Sequence, residues 1–203
     1  MKGLKRGQST PRKCLPITYN FLLAILQHLG YTKYEDSVFW VATLVAFFDF
    51  LRISELTVDS SLDPKIYQAL WDIPLDVMVD TESISIWIKA SQTDPFWEGC
   101  SVQVDTTHYK LFPVVALMQY MWLWGPVDGS MLIDISDKPF SRGWFQMQLQ
   151  NLLLRAGVSG DYTSYLLRIG ASISAAVLIT PDYMIKTMGN WVSDTIMQKI
   201  RKF

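Results

Sequence analysis

The sequence predicts an α+β domain, mainly helical, with a small three-stranded antiparallel sheet. Three observations carry this. Apolar residues recur at helical spacing in stretches bounded by capping and stop residues, in both halves of the chain. The period drops to two only between about Asp76 and Asp105. The 203 residues, half of them hydrophobic and 13% aromatic, suffice to bury one good core.

Pro16 and Thr18 precede an apolar-periodic stretch, Tyr19 to Leu29, that stops at Gly30. A second helix is expected from about Glu35 to Leu51, apolar on most faces and therefore a core element. Arg52 follows directly, with Glu55 three residues on, within reach along one helical face. From Asp76 the pattern alternates. Asp76-Val-Met-Val-Asp80 and Ser83-Ile-Ser-Ile-Trp-Ile-Lys89 read as strands joined by a turn, and Ser101 to Asp105 as a third. Ile84, Ile86 and Ile88 share one face of that sheet. Trp87 falls on the other, among serines and Lys89, where something must cover it or leave it a liability. The connection from Ala90 to Gly99 is rich in turn residues.

The helical period then returns. Pro113 to Trp124 is closed by Gly125-Pro126, and Ser141 is placed to cap a helix from Arg142 to Ala156, stopped by Gly157. Ser164 is placed to cap the helix that carries Arg168. Pro181 opens a short helix to Met188, with Gly189 as its stop. Ser193 precedes a last helix running to the chain's end.

The net charge of −1 is not that of a strong nucleic-acid binder, but its distribution is uneven. Residues 1–17 contain Lys2, Lys5, Arg6, Arg12 and Lys13 and no acid, while the other 186 residues hold 13 basic and 19 acidic groups. This divides the chain into a basic, flexible arm or linker (1–17) and a domain (18–203). The arm suits phosphates and equally suits a solvated tail. No apolar run reaches the length of a membrane span, and the N-terminus has no apolar core of a signal peptide. Cys14 and Cys100 make neither a disulfide framework nor a metal cluster. The expected location is intracellular, nuclear in a eukaryote.

Five stretches carry a resemblance: Phe50-Leu-Arg52-Ile-Ser-Glu55-Leu, Lys89-Ala-Ser-Gln92-Thr-Asp-Pro-Phe, Ser141-Arg142, Arg168-Ile-Gly-Ala and Gly189-Asn-Trp191-Val-Ser-Asp. In order and spacing they resemble the catalytic domain of tyrosine recombinases, and in particular the Crypton-like transposon integrases. The resemblance covers nearly all of the chain. It implies a domain that binds double-stranded DNA, with DNA recombination and integration as the process and no metal or organic cofactor. In that chemistry two arginines neutralise the phosphate in the transition state, a hairpin lysine protonates the leaving oxygen, and a motif histidine moves protons. A His or Trp lies close to the phosphate, and a tyrosine is the nucleophile.

Carried over position by position, the arginines are Arg52 and Arg168 and the tryptophan is Trp191. The hairpin lysine falls on Gln92, the motif histidine on Tyr165 and the nucleophile on Lys199. Lys89 lies three residues from the lysine position. The resemblance therefore implies a DNA-binding domain that does not cleave DNA, holding DNA through Lys89, Arg142, Arg52, Arg168 and the basic arm. It also implies a homo-oligomer formed through the C-terminal helix. The aromatic excess supports a second reading, in which the DNA face has become apolar and the scaffold serves as a protein-interaction module. A decayed copy of a mobile element is a third. Each retained residue also has a purely structural use: Arg52 in an ion pair with Glu55, Arg168 as a bridge between helices, Trp191 as core.

Overall fold

The computed structural model describes residues 15–30, 32–58, 77–79, 82–88, 99–106, 110–124, 132–136, 138–160, 162–189, 191, 197 and 200. The elements in chain order are α1 (Tyr19–Leu26), α2 (Tyr34–Phe48), α3 (Ile53–Leu56), β1 (Val77–Val79), β2 (Ser83–Ile88), β3 (Cys100–Asp105), α4 (Pro113–Trp124), α5 (Arg142–Arg155), α6 (Tyr165–Val177) and α7 (Asp182–Met188). Met197 and Ile200, also helical, are buried beyond them.

Helix α2 is the centre of the domain. Every residue from Val38 to Phe47 is buried, as a helix apolar on most faces demands. It packs on α4 and α6, while α1 packs on α5 and α6. Tyr120 of α4 is fully buried, and its hydroxyl shares a hydrogen bond with that of Tyr34 at the start of α2. The sheet runs β1-β2-β3 with both pairings antiparallel. Ile84 stands opposite Val104 and Trp87 opposite Ser101. Ile86 is fully buried while Trp87 is 42% exposed, so the alternation read from the sequence is the one the strand adopts.

The helix ends explain how the chain reaches its site. Three helices finish in the same left-handed turn, in which two successive amides bond back to carbonyls of the last turn. After α5 the left-handed residue is Gly157 (φ 72°), with Gly157 N–H donating to Leu154 O and Val158 N–H to Leu153 O. After α2 it is Phe50 (φ 55°), with Phe50 N–H donating to Phe47 O and Leu51 N–H to Ala46 O. After α6 it is Ile179 (φ 61°), closed by the same pair of bonds to Ala176 and Ala175. Only the first of these carries the expected glycine. Helix α2 therefore stops at Phe48 rather than running on to Leu51, and the turn at Phe50 starts α3 in a new direction with Arg52 at its head.

At α5 the expected cap is present: Ser141 Oγ accepts from Trp144 N–H at 3.2 Å. Ser164 does not cap α6 with its side chain. Its N–H instead donates to Gln146 Oε1 at 2.9 Å, while the Gln146 amide donates to Tyr162 O, so one side chain of α5 clasps the loop into α6. Pro16 and Ile17, the last two residues of the expected arm, are buried. Ile17 N–H donates to Leu166 O at 3.1 Å, and a Cβ on Gly170 would lie 1.8 Å from the Ile17 carbonyl oxygen. Gly170 is glycine because the chain before α1 crosses α6 there.

No helix of the described residues is long and apolar enough to cross a membrane. Among the described residues, no three His, Cys, Asp or Glu side chains are placed to hold a metal ion.

Candidate functional site

The site begins at the head of α3. The Glu55 carboxylate reaches back along one turn and accepts the backbone N–H of Arg52 at 2.8 Å and its Nη1 at 3.2 Å. Glu55 is buried, whereas the Arg52 side chain keeps 24% of its surface open. The acid thus holds the start of a four-residue helix and fixes the direction of the guanidinium.

The second arginine comes from α6. Arg168 is 3% exposed and donates through Nη2 to the carbonyl of Gly189, just past the end of α7. Its guanidinium carbon lies 4.7 Å from the centre of the Trp191 ring. A cation at a helix C-terminus and over an indole face is favourable on both counts. Burial, then the nearby charge of Arg52, pushes the Arg168 guanidinium down to about 10, against the opposite influence of Glu55 and Tyr165. It remains a cation at neutral pH. Its Nε is buried without a hydrogen-bond partner.

Gly189 closes this cluster by being small. Its φ is −82°, an ordinary value, so no left-handed turn requires glycine there. A Cβ would sit 2.1 Å from the Trp191 ring. The glycine expected as a conformational stop is therefore needed for the seat of the indole. From the other side Phe50 meets Trp191 edge-on, with ring centres 6.1 Å apart. The strained turn after α2 thus supplies one wall of the site.

The Arg52–Glu55 pair and the Arg168–Trp191 pair, far apart in sequence, come near enough for Arg52 and Glu55 to act on the charge of Arg168, as does Tyr165, 52% exposed on the first turn of α6. Arg142 is exposed at the start of α5, and its backbone is tied to the end of α3 through Val58 O at 2.8 Å. Gln92, Lys199, Lys89, Lys2, Lys5, Arg6, Arg12 and Lys13 lie outside the described residues.

Two members of the neighbourhood escaped the sequence reading. Phe50 carried no glycine to mark a turn. Asp49 gave no sign that it would be buried, yet its Oδ2 has no hydrogen-bond partner. Burial, reinforced by the charge of Asp105, raises its carboxyl to about 8.

No protein-family model matches the sequence, and no curated protein sequence does. Solved structures do match in fold. The XerH site-specific recombinase bound to its palindromic difH substrate, in a post-cleavage complex, superposes with a TM-score of 0.68 at 11% identity, over 93% of this chain and 50% of the recombinase. A lambda integrase dimer bound to a COC′ core site gives 0.59 at 16% identity, over 97% and 50%. The XerA recombinase gives 0.55 at 11% identity, over 97% and 66%. The fold is that of the tyrosine recombinases and integrases. The chain spans about half the length of the first two.

Proposed function

We propose that this chain is a DNA-binding domain of the integrase type, tied to DNA recombination and integration, that holds a DNA phosphate without cutting the strand. The observation that supports it is the convergence of Arg52, Arg168 and Trp191 in one cluster, within a fold otherwise seen in recombinases on DNA. Two arginines against one buried glutamate leave the cluster with an excess positive charge, which favours an anion. Arg52, the more open of the two, makes the contact. Arg168, buried and near enough to feel the charge of Arg52, adds charge and rigidity.

Loss of cleavage follows from residue chemistry. Gln92 cannot act as a general acid, and an amine at Lys199 replaces a phenol nucleophile. The Crypton-like relationship belongs to this proposal, as do oligomerisation through the C-terminal helix and an intracellular, nuclear location. The test is duplex binding at two salt concentrations, run beside a nicked suicide substrate. The expected result is a complex that weakens steeply with salt, and no covalent adduct. A covalent adduct overturns the loss of cleavage. Absence of binding at low salt overturns the DNA reading.

A second reading, a protein-interaction module, is favoured by the exposure of Trp87 on the sheet and of Trp122 on α4, at 42% and 82%. Association without DNA affinity would establish it in place of the first.

A further inference from the structure

Helix α4 is apolar around most of its circumference, and its twelve residues include no charged side chain. One side, carrying Val114, Leu117 and Tyr120, is buried, and α4 packs on α2. The opposite side carries Val115 (54% exposed), Met118 (47%) and Trp122 (82%), and Phe112 (41%) extends the row by one turn before the helix begins. The steps of three, three and four residues put all four on a single stripe. A helix that is apolar on both sides belongs between two layers, and here the second layer is not part of the chain's described residues.

We propose that this stripe is a two-fold interface with a second copy of the chain, in which α4 packs antiparallel on α4. The order of side chains argues for a second copy. Read from either end the stripe runs aromatic, aliphatic, aliphatic, aromatic: Phe112, Val115, Met118, Trp122. An antiparallel pairing sets each aromatic end against the other copy's opposite aromatic end, and Val115 against Met118. That is the self-complementarity a two-fold contact requires. Charge argues the same way. The stripe offers nothing to repel its own copy, and exposed Lys110, just before the helix, comes to lie beside the carbonyl end of the other α4. A small recess at the stripe's edge, apolar at Leu29, Trp40 and Ala116 and polar at Asp36, Ser37 and Gln119, has room for a side-chain tip of the second helix. This surface is separate from the arginine cluster, and the proposal does not rest on DNA binding.

Sedimentation equilibrium of the 203-residue chain without DNA, over a range of concentrations, tests it. The expected result is a monomer–dimer equilibrium, with Trp122→Glu and Met118→Glu each weakening the dimer by at least ~tenfold. Trp122 is 82% and Met118 47% exposed, so the thermal melt of each variant should stay close to the parent's. If Trp122→Glu does not fold, Met118→Glu carries the test alone. Val115→Glu and Met118→Lys, each impaired alone, should form a mixed dimer when combined, because the pairing brings those positions together. A monomer at every concentration overturns the proposal. So does an association indifferent to both glutamate variants, since it would then use another surface.

Discussion

Arg168 lies 4.7 Å from the centre of the Trp191 ring and bonds the carbonyl of Gly189, two residues before that ring. One side chain thus joins the start of α6 to the end of α7 and orients the indole. Arg168→Ala should leave a carbonyl and a ring face without their partner. A loss of about 2–3 kcal/mol is expected in urea unfolding. Arg168→Lys should recover less than half of it, because an ammonium has no planar fork to lie along the indole while bonding the carbonyl.

Gly189→Ala tests the seat of the indole independently of charge. The added methyl meets the Trp191 ring, so the ring must move or α7 must shift. A changed near-ultraviolet circular dichroism signal and a loss of about 1–3 kcal/mol are expected. An unchanged spectrum would mean that Trp191 is not packed against Gly189.

Phe50 and Ile179 occupy the same left-handed turn and should respond in opposite directions to glycine. Phe50 is 4% exposed and braces Trp191, so Phe50→Gly trades about 1–2 kcal/mol of relieved strain for about 3–5 kcal/mol of lost packing. Ile179 is 89% exposed, and Ile179→Gly has almost nothing to lose. Thermal unfolding should find the first variant less stable than the parent and the second equal or more stable. The gain is limited by the greater freedom of glycine in the unfolded chain.

Asp49 makes stability depend on pH. Its carboxyl is raised to about 8 in the folded chain, from an ordinary 3.8. Between those values the unfolded chain releases a proton that the folded chain keeps. Stability attributable to this group therefore falls as pH rises from about 4 to about 8, by an amount on the order of 4 kcal/mol. Asp49→Asn should flatten the profile and raise stability at pH 7. A parent profile that is flat from pH 5 to 8 would show Asp49 to be ionised or exposed.

At the DNA interface, Arg52→Gln should reduce duplex affinity about tenfold and lower the salt slope by roughly one, as expected for one lost phosphate contact. Because Arg52 also pairs with Glu55, a melt of the variant separates lost binding from lost folding.

Much of this was legible in the sequence wherever a residue type has one dominant use. Ser141 and Gly157 bound α5 as their chemistry requires, and Ile86 and Trp87 take opposite faces of β2 as alternation requires. The pair Arg52 and Glu55 announced itself by spacing. The misses share a cause. Phe50 and Ile179 adopt a conformation that their side chains disfavour, because the surrounding bonds fix it, and local propensity gives no hint of that. Gly189 and Gly170 look like conformational glycines, but contacts made by Trp191 and Ile17 decide them, and such contacts are invisible until the chain is folded. The burial of Asp49 and the exposure of Trp122 are likewise tertiary facts.

The crossing of Ile17 over Gly170 has a mechanical consequence. Leu166 and Gly170, the two points where the incoming chain is pinned, lie two residues to either side of Arg168. A displacement of Pro16 or Ile17 is therefore delivered to the arginine helix itself, on the turn that holds Arg168.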